Sequence, residues 1–202
     1  MLRFFTNREL SRNLFIPLAK WKRWSREFLP PDPLGGLQSG VTRQYSVDQS
    51  LTVYIGGYLV SDLKTSIHEA RQIMADLHAC LNDIGAFANY RIRQERSLGQ
   101  YETISVFSIF FRRVREPSSD GSSFEYTIRG SISREAFTIE HRTVYREEYL
   151  ATHISSSNHK TLNVYEPHVK ILPISALVDR FTKDMKLDRR FFPILDHYDP
   201  DT

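Results

Sequence analysis

One cysteine, Cys80, is all that this 202-residue chain offers for sulfur chemistry. That scarcity excludes an intrachain disulfide and a cysteine-based zinc site, and it fits a reducing compartment. No run approaches the roughly 18 apolar residues that a spanning helix requires. There is no Asn-x-Ser/Thr acceptor, and the N-terminus lacks the apolar core and small-residue cleavage site of a secretory signal. The motifs GxSxG, GxGxxG and GxxxxGKS/T are also missing, which removes the usual marks of a serine hydrolase, a dinucleotide fold and a P-loop. His68-Glu69-Ala70-Arg71-Gln72 has the first half of the HExxH zinc helix, but Gln72 stands where the second histidine is needed. Glu69 is better explained as a capping residue, three positions after Ser66. His153 and His159 flank a polar stretch and read as solvated side chains. Neither a catalytic residue, a metal nor a cofactor is expected, and no small-molecule substrate.

What the chain does have is charge at one end. Residues 1–28 carry seven basic side chains against Glu9 and Glu27, a net of +5, whereas the other 174 residues sum to −2. Both tryptophans fall in the same segment. In Leu18–Phe28 the residues Leu18, Trp21, Trp24 and Phe28 form one helical stripe, with Lys20, Lys22, Arg23 and Arg26 around the rest. This is the pattern of an interfacial helix, so residues 1–28 read as a basic aromatic arm. Its candidate membrane-binding residues are Arg12, Lys20, Trp21, Lys22, Arg23, Trp24, Arg26 and Phe28. At about 1 kcal/mol per basic residue near an anionic bilayer, the net charge supplies roughly 5 kcal/mol. The alternative is an ordinary helix that packs Leu14, Leu18, Trp21 and Trp24 onto its own body.

Residues 29–47 have the Pro/Gly composition of a linker. Twelve residues from Leu29 span up to about 40 Å when extended. The apolar residues Leu29, Leu34 and Leu37, with Pro30 and Pro31, have no evident place in a solvated linker and are candidates for self-association. The globular domain is expected over 48–195, followed by an acidic tail at 196–202. It is long enough to bury roughly 70% of its unfolded surface.

Within that domain, alternating Leu51, Val53 and Ile55 suggest a strand over 51–61, with Gly56-Gly57 marking a bulge or a close backbone approach. Ser66 and Glu69 predict a helix start, and Ile67, Ala70, Met74, Leu77 and Leu81 carry it to about Asn82. Tyr101–Arg115 predicts a central strand. Phe124–Ser133 alternates as a half-buried strand and is expected to pair with Ala136–Arg146, making an antiparallel meander. Pro173 introduces a second amphipathic helix through Ile174, Leu177, Val178, Phe181 and Met185. The expected class is α+β, a single domain with a mainly antiparallel sheet packed by two amphipathic helices. Arg91, Arg93 and Arg96 with Arg112, Arg113 and Arg115 form a candidate nucleocapsid or phosphate face if the two segments adjoin, or else a solvated strand end.

The cationic residues 3–26, the prolines of LPPDPLGG at 29–36 and the strand-to-helix unit at 51–77 together resemble a rhabdovirus matrix protein. The resemblance is architectural and covers the first half of the chain. It departs from that family in an arm richer in aromatics than lysine, and in lacking PPxY, since Pro30-Pro31-Asp32-Pro33 has no tyrosine where it is needed. The resemblance implies a non-enzymatic protein of the virion and host cytoplasm. It would self-associate at the inner face of a membrane, bind anionic lipid through its arm and hold nucleoprotein or RNA beneath. Two alternatives stand beside it: a mitochondrial or other organellar protein with a targeting arm, and a nucleic-acid-binding module.

Overall fold

The computed structural model describes residues 3–32, 42–87, 106–114, 123–139, 142–155, 165, 168–196 and 198. The chain is α+β and divides into a helical unit, residues 1–89 with 177–192, and a sheet unit, residues 90–176 with 193–202.

The helical unit opens with a two-residue strand, β1 (Phe5–Thr6), paired antiparallel with β2 (Gln44–Tyr45). Helix α1 (Asn7–Asn13) starts at a capping box. Thr6 Oγ1 accepts from the Glu9 backbone, and the Glu9 carboxylate accepts from the Thr6 N–H at 2.8 Å. Helix α2 (Leu18–Phe28) follows Pro17 and buries Trp21, Trp24 and Ser25. The segment read as an arm is therefore packed, and this corrects the first sequence expectation. Each tryptophan withdraws apolar surface worth roughly 4–6 kcal/mol as an upper estimate. Releasing both costs more than the roughly 5 kcal/mol of lipid attraction returns.

A second correction concerns residues 51–61, which form no strand. Helix α3 (Val47–Ser61) begins at the Ser46 and Gln49 capping box and buries Leu51, Val53, Tyr54, Ile55 and Leu59 around its circumference. A helix apolar on every side has no amphipathic period to read, and its alternate residues mimic a strand. The close approach expected at Gly56-Gly57 does occur. A Cβ on Gly57 would lie 2.3 Å from the Trp24 ring, and one on Gly56 would lie 2.8 Å from the Phe28 ring. Two bare backbone positions thus receive the aromatic side of α2. Helix α4 (Ile67–Asp83) starts at Ser66 as predicted and buries Ala70, Ile73, Met74, Leu77 and Leu81. It ends at Gly85, in the left-handed region at φ 73°, with the reciprocal carbonyl bonds of a Schellman cap.

The sheet unit holds four antiparallel strands in the order β5-β4-β3-β6. These are β3 (Val106–Val114), β4 (Ser123–Ile139), β5 (Arg142–Ser155) and β6 (Lys170–Leu172). The meander is as expected, but the reversal is displaced. β4 runs straight through Ser133–Ala136, and the chain turns between Ile139 and Arg142. Ser133-Arg134-Glu135 contains no glycine, proline or asparagine to turn on. An irregularity between Ser131 and Ser133 absorbs one extra residue instead. Phe111, Phe124 and Tyr126 form an aromatic cluster with ring centroids 6.3–6.4 Å apart. Helix α5 (Ile174–Asp184) is anchored at its start by Ser175 Oγ, which accepts from the Phe107 N–H at 2.8 Å. All five apolar residues that predicted this helix are buried.

Candidate anionic-surface interface

The exterior of α1 and α2 carries the charge. Arg3, Arg8, Arg12, Lys20, Lys22, Arg23 and Arg26 are all exposed or half-buried. Arg8, Lys20, Lys22, Arg23 and Arg26 make no ion pair among the described residues. Glu9 is engaged locally. The Thr6 backbone N–H is the main influence holding its carboxyl below the usual range, and it prevails over the opposing effect of burial with help from Thr6 Oγ1, Arg3 and Arg12. Glu27 faces Arg71 at 3.9 Å.

Aromatic display falls on other residues than the tryptophans. Trp21 and Trp24 are 0% and 4% exposed, and the Lys20 ammonium covers the Trp24 ring at 4.7 Å. Phe28 is half-buried. Within residues 3–32 the exposed phenylalanines are Phe4, 53% accessible, and Phe15, 86% accessible. Phe15 occupies the position just after the α1 cap in a Schellman motif, where its N–H bonds Arg12 O and the Ile16 N–H bonds Ser11 O. Its φ is +54°, a conformation in which an L-residue pays roughly 1–2 kcal/mol and glycine is usual. Four-residue spacing sets Arg8 and Arg12 on one side of α1, and Phe15 follows just beyond its C-terminus.

The self-association candidates Leu29, Pro30 and Pro31 border a groove of about 850 Å³ that also touches Phe28, Met74 and His78. Leu34 and Leu37 lie outside the described residues, as do Arg91, Arg93, Arg96, Arg115 and His159. Of the candidate phosphate face, only Arg112 and Arg113 are described. They are consecutive on β3 and so project from opposite faces. Arg112 is also neutralised by the buried Glu125 carboxylate, which accepts from its Nε at 2.9 Å. That pair joins the sheet.

No three His, Cys, Asp or Glu side chains converge into a cation site among the described residues, and no described helix is long and apolar enough to cross a membrane. His68 is exposed, and Gln72 Nε2 donates to Asp76 at 2.6 Å. Burial, with Asp83 as the lesser influence, pushes the Cys80 thiol up to about 12. It remains protonated and is a poor nucleophile. Sequence reasoning passes over Phe4 and Phe15 as anchors, and over Asn7, Arg43 and Tyr45. The backbone sign of Phe15 has no sequence signature, and Tyr45 reaches Asn7 only through the β1–β2 pair. Comparison with protein family models, characterised proteins and solved structures finds no match.

Proposed function

We propose that this chain is a matrix-like structural protein that docks the cationic exterior of α1 and α2 on an anionic membrane and self-associates there to hold a ribonucleoprotein. The observation that carries the reading is the coincidence of unpaired cations with Phe4 and Phe15. A ring kept in water, on a backbone conformation better suited to glycine, costs stability without an evident structural return. Cations then supply attraction across the headgroups while two rings supply apolar contact, the combination that interfacial binding needs. In this form the tryptophans hold the helices together, and the phenylalanines meet the bilayer. The Leu29-Pro30-Pro31 segment remains the candidate contact between copies.

Flotation of the intact chain with phosphatidylcholine vesicles, with and without about 30% phosphatidylserine, tests the docking. The pair Phe4→Ser and Phe15→Gly is expected to reduce flotation several-fold while leaving the unfolding midpoint unchanged or higher, because glycine at the second position relieves about 1 kcal/mol of backbone strain. Unchanged flotation of that variant, or equal binding to neutral vesicles, refutes the reading. Salt-sensitive retention of RNA without any flotation transfers the function to nucleic-acid binding.

A further inference from the structure

Three separate segments of the helical unit meet at a cleft of about 670 Å³, lined by Asn7, Lys22, Ser25, Arg26, Arg43 and Tyr45. Its size falls within the range of small-ligand sites. Lys22 and Arg26 stand one helical turn apart on α2, and neither has a carboxylate partner among the described residues. Arg43 is held in place from two sides. Its Nη2 donates to Pro30 O at 2.9 Å, and its guanidinium lies 5.3 Å over the Tyr45 ring.

The buried polar groups point the same way. Tyr45, 1% exposed, donates its hydroxyl proton to Asn7 Oδ1 at 2.7 Å, with Ser25 Oγ at 3.2 Å. Ser25 Oγ in turn lies 3.1 Å from Lys22 O. Asn7 is 9% exposed, its oxygen is committed to Tyr45, and its NH₂ group has no hydrogen-bond partner among the described residues. The amide nitrogen keeps access to solvent and can donate to a bound acceptor. Three cations and this amide face one lining carboxylate, Asp32. That donor excess suits an oxyanion, and a single carboxylate suits a hydroxyl.

We infer that the cleft binds a phosphorylated polyol, its phosphate held by Lys22, Arg26, Arg43 and the Asn7 amide, with a ring hydroxyl toward Asp32. This goes beyond the docking proposed above and does not require it. The cleft is a discrete site with a fixed donor set, whereas the exterior of α1 and α2 is a diffuse field.

Calorimetric titration of the intact chain with inositol 1,4,5-trisphosphate is expected to saturate at one molecule per chain. Asn7→Asp keeps the oxygen that Tyr45 bonds and replaces the NH₂ by a charged acceptor. This variant and Arg26→Gln are each expected to weaken binding at least tenfold. Arg71→Gln, which removes the same charge away from the cleft, is expected to stay within twofold. Arg26 is exposed, so its variant keeps the test open if Asn7→Asp does not fold. Vesicles with about 5% phosphatidylinositol bisphosphate separate the sources. Competition by the soluble trisphosphate identifies a lipid headgroup, and trisphosphate binding with no gain over phosphatidylserine vesicles identifies a soluble ligand. Absence of saturation at millimolar trisphosphate, or an equal loss in Arg71→Gln, overturns the inference. Flotation on phosphatidylserine is read separately through Phe4 and Phe15, so the two proposals fail independently.

Discussion

Replacing Gly57 by alanine pits helix propensity against packing at the contact that folds α2 onto the protein. In an unobstructed helix the change stabilises by about 1 kcal/mol. Here the new methyl group would sit 2.3 Å from Cε3 and Cζ3 of Trp24, a ring only 4% exposed, so the ring or the whole of α2 must move. Overpacking of this kind costs about 1–3 kcal/mol, and losing half of the tryptophan burial adds roughly 2–3 kcal/mol. The net expectation is a loss of about 2–5 kcal/mol, a drop of roughly 4–20 °C in the unfolding midpoint for a chain of this size. Gly56→Ala supplies the contrast. Its methyl group meets the Phe28 ring at 2.8 Å, and Phe28 is half-buried at the end of α2, where a ring can rotate away. Its cost is expected below about 1 kcal/mol once the propensity gain is included. Urea titrations of both variants, and of Gly57→Ala combined with Trp24→Leu, complete the measurement. The smaller side chain is expected to restore about 1 kcal/mol or more through coupling of the two sites. If Gly57→Ala is as stable as the parent chain, Trp24 is not packed on α3, and the account of residues 1–28 as folded helices fails.

Arg112→Met leaves the Glu125 carboxylate buried without its cation, and about 3 kcal/mol of stability is expected to go with it; the double change with Glu125→Met is expected to recover most of that in the same denaturation assay. Cys80, with its thiol pushed up to about 12, is expected to react with iodoacetamide at about pH 8 roughly 100-fold or more slowly than a free thiol, and labelling at the free rate in folded protein contradicts its burial. Glu9 has a native pKa below its ordinary value, so its charge stabilises the fold above the usual glutamate range, near about pH 4.3, and that contribution disappears as pH falls through the lowered native value. The parent chain is therefore expected to melt higher than Glu9→Gln at about pH 7 and to converge with it in acid; a gap that does not change with pH contradicts this sign.

Much of the fold is written locally. Helices α4 and α5 follow from a capping box, an N-terminal proline and apolar residues at three- and four-residue spacing. β3 and β4 follow from β-branched and aromatic runs. Helix α3 is misread when the alternation of Leu51, Val53 and Ile55 is weighed above the cap at Ser46 and Gln49, the better signal because a helix buried on all sides loses its period. The hairpin is displaced because Ser133-Arg134-Glu135 holds no turn residues and continues the strand.

The functional surface separates differently. Sequence alone determined that the positive charge is concentrated in residues 1–28 and that Trp21 and Trp24 share one side of α2, since both follow from order and helical spacing. Amphipathicity does not name the medium that the apolar side meets, and the same stripe serves a bilayer or a core. Tertiary structure decided that question, because Gly56 and Gly57 leave α3 bare where the rings of Phe28 and Trp24 enter. It also decided which rings reach water, through the left-handed backbone at Phe15. The cleft proposed to hold a phosphate depends on it entirely. Asn7 and Tyr45 are 38 residues apart, and only the β1–β2 pairing brings the Tyr45 hydroxyl to Asn7 and turns an ordinary amide into an unfilled donor beside three cations.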